Sequence, residues 1–334
     1  MIEQYKQIGK CFSSVYEAAD FAGVELKRFN HTNCRADVAG DPHGKGDVSI
    51  RMTPDGRGGR IYLHKTGERV SFHEDAGRKL TKQERKRVAR ENEIKRAEST
   101  AAEKIKEAFA IELCYQIYRS CSLTSFHPYL EKKRLRCERP FHVIHANEID
   151  AILRERGVRG YRPGYKDGET FKRFKGELIV IPCHINGEIK TLEFIDAQGR
   201  KRFMKDTSKS GSYWMTRFYD SFEASPIIAI AEGVATALSI DLVEGIPCVA
   251  AMDAGNLVSV AKHWASQFPT KKFLIMADND QKGIEYGKAA RAAIGGELHI
   301  APVNDEITAS FQAMTGSDKA PSDFNDVYIA RGML

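Results

Sequence analysis

The stretch Phe273-Leu-Ile-Met-Ala-Asp-Asn-Asp280 places two carboxylates directly after a short apolar run that has the length of a buried strand. Because residues i and i+2 of extended backbone point to the same side, Asp278 and Asp280 can present their oxygens together. A second apolar run, Ile227-Ile-Ala-Ile-Ala-Glu-Gly233, ends in a carboxylate and a glycine. In an open parallel sheet, ligands bind beyond the carboxyl ends of the strands. Glu232, Asp278 and Asp280 are therefore candidates for a site that binds oxygen-loving cations such as Mg²⁺.

The chain around these two runs alternates between strand and helix signals from Pro226 onward. Strands are predicted near 227–231, 247–251, 273–277 and 297–300, and helices near 233–243, 256–267 and 282–293. This alternation predicts an α/β fold in which helices cover both faces of a parallel sheet.

Length and composition limit the class of protein. A chain of 334 residues can hold two or three domains, and 42% hydrophobic with 29% charged residues is typical of a soluble globular protein. No apolar run approaches the roughly 20 residues of a membrane span, and the first residues do not resemble a signal peptide. We therefore predict a cytoplasmic protein with no membrane partner, whose seven cysteines are reduced thiols.

The N-terminal third predicts a small β-rich domain followed by one long helix. A short helix with a serine cap is predicted between Ser13 and Ala22, and strands at 48–52, 59–64 and 69–73. The helix is predicted from Thr81, where Thr81 and Glu84 form a capping-box pattern, to about Ser120. Its later half carries an apolar stripe that would pack on a core, consisting of Ile105, Phe109, Leu113 and Ile117.

The first half of this helix is crowded with basic residues, and two interpretations stay open. It is a solvated helix face, or it contacts a DNA backbone. The candidate backbone contacts are Arg78, Lys82, Arg85, Lys86, Arg87 and Arg90.

The middle of the chain predicts a mixed α+β lobe. Residues 121–160 have a helical pattern that includes a short helix over 147–153, and strands follow at 177–182, 189–195 and 201–204. Asn186-Gly187 is a strong hairpin signal between the first two strands. The predicted segments are 1–77 (β-rich domain), 78–120 (basic helix), 121–223 (basic α+β lobe) and 224–334 (parallel-sheet domain).

Several motifs, in their order and spacing, resemble one family. Ala231-Glu-Gly233, Ala250-Ala-Met-Asp-Ala-Gly-Asn-Leu257 and Ala277-Asp-Asn-Asp280 resemble the Toprim domain of plasmid- and phage-type DNA primases. The similarity extends over about residues 120–332. It includes Phe126-His-Pro-Tyr-Leu130, Leu178-Ile-Val-Ile-Pro182, Leu192-Glu-Phe-Ile-Asp-Ala-Gln-Gly-Arg-Lys-Arg-Phe203 and Ser322-Asp-Phe-Asn-Asp326.

The resemblance implies that Glu232, Asp278 and Asp280 are both catalytic residues and ligands of Mg²⁺ or Mn²⁺, with Asp323 or Asp326 as a further ligand. Divalent cations neutralise phosphates and lower the pKa of an attacking 3′-hydroxyl, and Glu232 could shuttle a proton. The alternative interpretation is that Asp278 and Asp280 cap the following helix.

The resemblance also implies a surface for the nucleotide and the template, on which the candidate ligands are Lys201, Arg202, Lys205 and Lys209. Tyr213 and Trp214 could stack on a base, or they pack together in the core. Asp253 has either a functional role or a role in a turn.

Two departures from the family bear on function. Many relatives begin with a zinc ribbon that engages the template, which needs two close pairs of Cys/His ligands. Here His31-Thr-Asn-Cys34 is followed only by the scattered His43, His64 and His73, so residues 1–77 resemble a degenerate zinc-ribbon region and zinc is not expected. No P-loop motif is present, so a fused helicase is not expected either.

The leading hypothesis is a DNA primase, a nucleotidyltransferase that makes short RNA primers on single-stranded DNA from NTPs for a plasmid, phage or other mobile element. A separate replicative helicase, or a conjugation or host protein, is a candidate partner. The first alternative is a non-catalytic regulator or inhibitor with the same fold, which binds protein or nucleic acid. The second is a Toprim nuclease that cuts with the same carboxylates.

Overall fold

The structure is a computed structural model that describes residues 11–26, 29, 33–40, 46–64, 66–74, 82–135, 140–168 and 170–334. The chain divides into two compact units, Met1–Lys104 and Ile105–Leu334. No described helix combines the length and apolar character that crossing a membrane requires. The finer division into four segments stays a prediction.

The N-terminal unit contains one sheet of six strands, in the order β1-β6-β5-β4-β3-β2. A short helix covers it, and Ala18, Ile50 and Ile61 are fully buried between the two. The predicted serine cap is confirmed, since Ser14 Oγ accepts a hydrogen bond from the Glu17 amide at 3.2 Å. The elements are β1 (Cys11–Phe12), α1 (Val15–Phe21), β2 (Val24–Glu25), β3 (Cys34–Val38), β4 (Val48–Met52), β5 (Gly58–Leu63) and β6 (Arg69–His73).

The long predicted helix is confirmed as α2 (Lys82–Arg119), but the predicted apolar stripe is wrong at two positions. Leu113 and Ile117 are buried, whereas Ile105 is 70% exposed and Phe109 38% exposed. The helix packs on the core only through its last turns, by residues at i, i+3, i+4 and i+7, which are Ala110, Leu113, Cys114 and Ile117. Thr81 of the predicted capping box lies outside the described residues.

The lobe that follows is built on an antiparallel sheet in the order β13-β12-β11-β8-β7. The predicted hairpin is confirmed, because Asn186 (φ 51°) and Gly187 (φ 81°) form the turn between β11 and β12. The helical prediction for 121–160 holds for 147–153 but is wrong at β7 and β8. The elements are β7 (Ser122–Thr124), α3 (Pro128–Lys132), β8 (Phe141–His145), α4 (Ala146–Glu155), β9 (Gly164–Asp167), β10 (Thr170–Arg173), β11 (Glu177–Ile185), β12 (Glu188–Ile195) and β13 (Lys201–Phe203).

The C-terminal part has the predicted α/β architecture. Its sheet has the order β14-β16-β15-β17-β18 and is parallel except for β14, which pairs antiparallel with β16. The elements are β14 (Trp214–Met215), α5 (Tyr219–Ala224), β15 (Ile227–Ala231), α6 (Val234–Glu244), β16 (Cys248–Ala250), α7 (Leu257–Gln267), β17 (Lys272–Ala277), α8 (Gln281–Ile294), β18 (Glu297–Ile300), α9 (Asp305–Thr315) and α10 (Phe324–Ala330).

Both faces of this sheet are buried, as the apolar runs predict. Ile228 and Ile230 of β15 belong to a core that includes residues of α7 and α8. Ala229 and Ala231 point to the other face, whose core includes residues of α6, α9 and α10. That second core continues into the lobe through Ile179 and other residues of β11, so the lobe and the parallel sheet share one apolar interior.

Candidate active site

A cleft of about 340 Å³ lies where the carboxyl ends of β15 and β17 approach the lobe. It brings three carboxylates and three lysines together, although these residues are far apart in the sequence. Its lining consists of Tyr129, Lys132, Lys133, Gln198, Gly199, Lys201, Glu232, Gly233, Ala235, Thr236, Met252, Asp278 and Asp323.

Asp278 is the first residue after β17, and the pKa of its carboxyl group is strongly perturbed. Its Oδ1 atom is buried and has no hydrogen-bond partner. Desolvation raises the pKa of Asp278 to about 8, and the neighbouring charges of Asp323, Glu232, Asp280 and Asp326 add to that effect. A cation near Oδ1 would stabilise the ionised carboxylate against both the desolvation and the repulsion by the neighbouring carboxylates.

Glu232 follows the neighbouring strand β15. Burial and the charge of Asp280 raise its pKa, while the charge of Lys201 opposes the rise. Gly233 is the N-cap of α6 and makes no side-chain cap, and Gly233, Ala235 and Thr236 line the cleft. The uncapped start of this helix, which favours an anion, is therefore part of the cleft wall.

The two aspartates after β17 have different roles. Asp280 caps α8, since its Oδ1 accepts a hydrogen bond from the Gly283 amide at 2.7 Å. The capping interpretation is therefore right for Asp280, whereas Asp278 lines the cleft instead. Both residues lie beyond the end of β17, so the strand alternation assumed for them does not apply, although Asp280 still contributes to the electrostatics of Asp278 and Glu232.

Asp323 and Asp326, at the start of α10, form ion pairs with Lys133 at the end of α3. Lys133 Nζ lies 3.2 Å from Asp326 Oδ1 and 3.7 Å from Asp323 Oδ2. Burial opposes the charged form of Lys133, but the two carboxylates more than offset it, so its pKa is raised. Burial also raises the pKa of Asp323, against the charge of Lys133.

Of the four basic residues predicted to bind nucleotide or template, Lys201 alone is part of the cleft lining. Lys201 is exposed, and although nearby protein atoms partly desolvate its ammonium group, Tyr129, Glu193, Asp323 and Asp278 together raise its pKa. The remaining three lie elsewhere: Lys205 near the Tyr161 ring, Arg202 within electrostatic reach of the same tyrosine, and Lys209 in an ion pair with Asp253.

Asn256 organises the loop that carries Lys209, and its sequence context gave no sign of this role. Its Nδ2 donates to the carbonyls of Lys209, Ser212 and Ala251 at 3.2, 2.8 and 2.8 Å, and its Oδ1 accepts from the Gly211 amide at 2.7 Å. Asp253 Oδ1 accepts from the Asn256 amide at 2.9 Å. This places Asp253 in a turn, while its other oxygen faces Lys209.

Other residues were missed or misassigned. Lys132 and Lys133 were absent from the predicted site, although they belong to a visibly basic turn. Of the two interpretations of Tyr213 and Trp214, stacking on a base is wrong and burial in the core is right, because both side chains are buried. Tyr213 packs on His263 and Trp264, and Trp214 stacks on Phe141 at 6.0 Å.

The candidate DNA contacts of α2 belong to the N-terminal unit. Lys86, Arg87 and Arg90 are exposed, and Arg87 pairs with Glu91 at 3.7 Å. Arg78 and the side chains of Lys82 and Arg85 lie outside the described residues. Contact with DNA therefore stays a prediction for this helix.

The residues present fit a divalent cation that also takes ligands from a substrate. Within the described part of the chain, no three His, Cys, Asp or Glu side chains are grouped so as to hold a metal ion by themselves. Nevertheless, the unpartnered Asp278 Oδ1 and the adjacent Glu232 offer the oxygen ligands that Mg²⁺ prefers, and Mg²⁺ commonly retains waters and takes phosphate oxygens.

Comparison with known proteins agrees with this architecture. Residues 227–333 match the family model of the Toprim domain. The chain is 29% identical over 249 residues to a DNA primase TraC of Escherichia coli, covering 72% of this chain and 15% of that protein. A second Escherichia coli DNA primase TraC is 31% identical over 165 residues, covering 46% and 15%. The chain thus spans about 15% of the length of these relatives.

Solved structures of primases show a weaker likeness. The zinc-binding and RNA polymerase domains of the Aquifex aeolicus primase align with a TM-score of 0.40 at 14% identity, over 86% of this chain and 76% of that one. A DnaG primase catalytic domain bound to single-stranded DNA aligns with a TM-score of 0.39 at 12% identity, over 61% and 73%.

Proposed function

We propose that this protein is a primase-type nucleotidyltransferase, because residues 227–333 are a Toprim domain and the chain is homologous to TraC DNA primases. It joins NTPs into short RNA primers on single-stranded DNA, in the cytoplasm, for a plasmid, phage or other mobile element. The observation that carries the proposal is the cleft in which Glu232 and Asp278 face Lys201 and Lys132.

Glu232 and Asp278 would hold the divalent cation, Mg²⁺ or Mn²⁺. When bound, that cation neutralises phosphate charge and lowers the pKa of the attacking 3′-hydroxyl. Burial raises the pKa of Glu232 and so makes its carboxylate a stronger proton acceptor than an ordinary glutamate, and this residue is also the candidate base.

The remaining groups of the cleft would bind phosphate. Lys201 and Lys132 supply positive charge from the lobe, and the α6 amides after Gly233 supply uncapped donors from the Toprim domain. Lys201 Nζ lies close to Gly233, only 3.9 Å from where a Cβ on that glycine would be, so a triphosphate bound beside them would contact both the lobe and the Toprim domain, which orients its reacting phosphorus relative to Asp278.

A primer-synthesis assay tests the proposal. Purified protein is incubated with single-stranded DNA, labelled NTPs and Mg²⁺ or Mn²⁺, and products are resolved by length. Asp278→Asn and Lys201→Gln should each reduce product by about 100-fold or more, since each removes an electrostatic contact to the reacting groups. Asp305→Asn and Lys288→Gln remove the same charges from exposed positions outside the cleft and should keep full activity.

The same assay separates the alternatives. If wild type makes no oligonucleotide but binds DNA or a protein partner, and Asp278→Asn binds equally well, the chain is a non-catalytic regulator. If the DNA itself is shortened by wild type and not by Asp278→Asn, the chain is a nuclease. Candidate protein partners for such binding are a separate replicative helicase and a conjugation or host protein.

A further inference from the structure

Every carboxylate oxygen of Asp323 and Asp326 already has a partner within the chain. Asp323 Oδ1 accepts from the Asp326 amide at 2.8 Å, and Asp326 Oδ2 accepts from the Ser322 amide at 3.2 Å. The other two oxygens face Lys133 Nζ at 3.7 and 3.2 Å. Three of these four oxygens accept a hydrogen bond and the fourth, Asp323 Oδ2, faces the Lys133 ammonium in an ion pair, in contrast to Asp278 Oδ1, which has no partner.

Lys133 is held in place by more than its side chain. Its carbonyl oxygen accepts a hydrogen bond at 2.8 Å from Asn325 Nδ2, which also contacts Ser239 Oγ at 2.9 Å. The next residue, Arg134, has a φ of 52° and donates through Nη2 to the Met314 carbonyl at 2.9 Å. The turn after α3 is thus hydrogen-bonded to α9 and α10, and this holds the Lys133 ammonium group beside the two aspartates.

Lys132 shows that this arrangement is particular to Lys133. It lies in the same turn and lines the same cleft, yet it is exposed and makes no ion pair with a described residue. Lys132 is therefore available to bind a ligand, whereas Lys133 is held in ion pairs with the two aspartates at the start of α10.

We propose that Lys133 is a built-in cation that occupies the Asp323–Asp326 end of the acidic set, so that the chain takes a divalent cation only beside Glu232 and Asp278. The inference rests on the proposed function in placing a divalent cation in this cleft. Lys133 with Asp323 and Asp326 carries a net charge of −1, and removal of the lysine leaves −2 in a half-buried place, which a divalent ion could neutralise.

Counting bound Mn²⁺ tests the proposal without any turnover. Mn²⁺ is titrated into the full chain, and free Mn²⁺ is measured by electron paramagnetic resonance. Lys133→Met should bind one Mn²⁺ per chain more than wild type, whereas Lys132→Met should bind the same number as wild type. Without metal, Lys133→Met should melt at a lower temperature than wild type, and Mn²⁺ should restore its Tm by more than it raises that of wild type.

Two further variants complete the test. Lys133→Gln removes the same charge but keeps a hydrogen-bond donor for Asp326. The number of bound Mn²⁺ ions can therefore be measured on this variant if Lys133→Met does not fold. Asp326→Asn should bind the same number of Mn²⁺ ions as wild type, because Asp326 is not a ligand, although the lost charge near Asp278 weakens the affinity modestly.

Equal Mn²⁺ counts for wild type and both Lys133 variants would overturn the inference, as would an abolished Mn²⁺ binding in Asp326→Asn. Failure of the proposed function gives a different result. In that case Asp278→Asn binds as much Mn²⁺ as wild type, whatever the Lys133 variants do.

Discussion

Asp278 is held in a state that costs the folded protein free energy, because its carboxyl group is desolvated near four other carboxylates. A residue placed for stability alone would gain hydrogen bonds or an ion pair, as Asp323 and Asp326 do. Strongly perturbed carboxyl groups in clefts are typical of functional sites. The sequence marked this residue by its place after an apolar run, but only the surrounding charges explain its state.

The pH dependence of stability should reveal this state. The pKa of Asp278 is about 8 in the folded chain, above the usual carboxyl value, so between roughly pH 4 and 8 the folded state keeps a proton that the unfolded state has released. Stability should therefore fall as the pH rises through that window. Melting curves with a chelator should show a smaller fall for Asp278→Asn, while Asp305→Asn should follow wild type. Equal falls in all three would contradict the assignment.

Asn256 is important for stability, because its side-chain amide is buried and fully hydrogen-bonded. Its two N–H groups are shared among three carbonyl oxygens, so an acceptor in place of Nδ2 would face three oxygens at close range. The residue is isosteric with aspartate, which makes the contrast clean.

Asn256→Asp should lower the free energy of unfolding by about 2–4 kcal/mol, because it buries a charge and leaves acceptors unpaired. Asn304→Asp is the matched control. Asn304 caps α9 through Oδ1, which accepts from the Ile307 amide at 2.8 Å, and aspartate caps a helix as well as asparagine does. Urea denaturation measures both, and a similar decrease in the two variants would refute the assignment.

At the scale of elements, α2 shows what periodicity can and cannot predict. The length of the helix follows from local propensity and was predicted closely. Which face of the helix is buried depends on the elements that pack against it. The predicted i, i+4 stripe included Ile105 and Phe109, but the buried positions of the helix begin only at Ala110. The strands β7 and β8 were missed for the same reason, since pairing with each other and with β11 overrides a local helical pattern.

One substitution made at two places in α2 tests this correction. Ile117→Ala should lower the free energy of unfolding by about 2–4 kcal/mol, because Ile117 is fully buried. Ile105→Ala should change it by no more than about 0.5 kcal/mol, because that side chain is 70% exposed. Comparable decreases in the free energy of unfolding of the two variants, measured by chemical denaturation, would support the stripe as it was first predicted.

At the scale of the whole molecule, the parallel sheet and its carboxylates could be predicted, while on the basic side of the cleft Lys201 was predicted and Lys132 and Lys133 were not. The apolar runs specify β15 and β17, and their carboxyl ends specify where Glu232 and Asp278 lie. Lys133 and Asp326 are brought together by tertiary packing alone, and no spacing in the sequence reports such a pair. The basic half of α2 belongs to the N-terminal unit, and the residues that line the cleft belong to the unit Ile105–Leu334.

The salt dependence of DNA binding tests whether that basic half contacts a phosphate backbone. Replacing Lys86, Arg87 and Arg90 with Gln should weaken binding to single-stranded DNA. The slope of log affinity against log salt should become shallower by about 2, because each neutralised phosphate of a single strand contributes ~0.7 to that slope. Replacing Lys262, Lys288 and Arg291, which are exposed on α7 and α8, removes the same charge as a control. An unchanged slope in fluorescence anisotropy would identify the helix as a solvated spacer.

The attachment of Lys133 to α10 has a consequence for biosynthesis. Lys133 and Asp326 are 193 residues apart, so on the ribosome the lysine emerges long before its carboxylates exist. At about 5–20 residues per second, this interval is roughly 10–40 s. During that time a nascent chain can form the lobe sheet and most of the parallel sheet, but the wall of the cleft that contains Asp323 is absent. Synthesis of α9 and α10 thus completes the cleft and, at the same time, the core beneath it, to which both helices contribute buried residues.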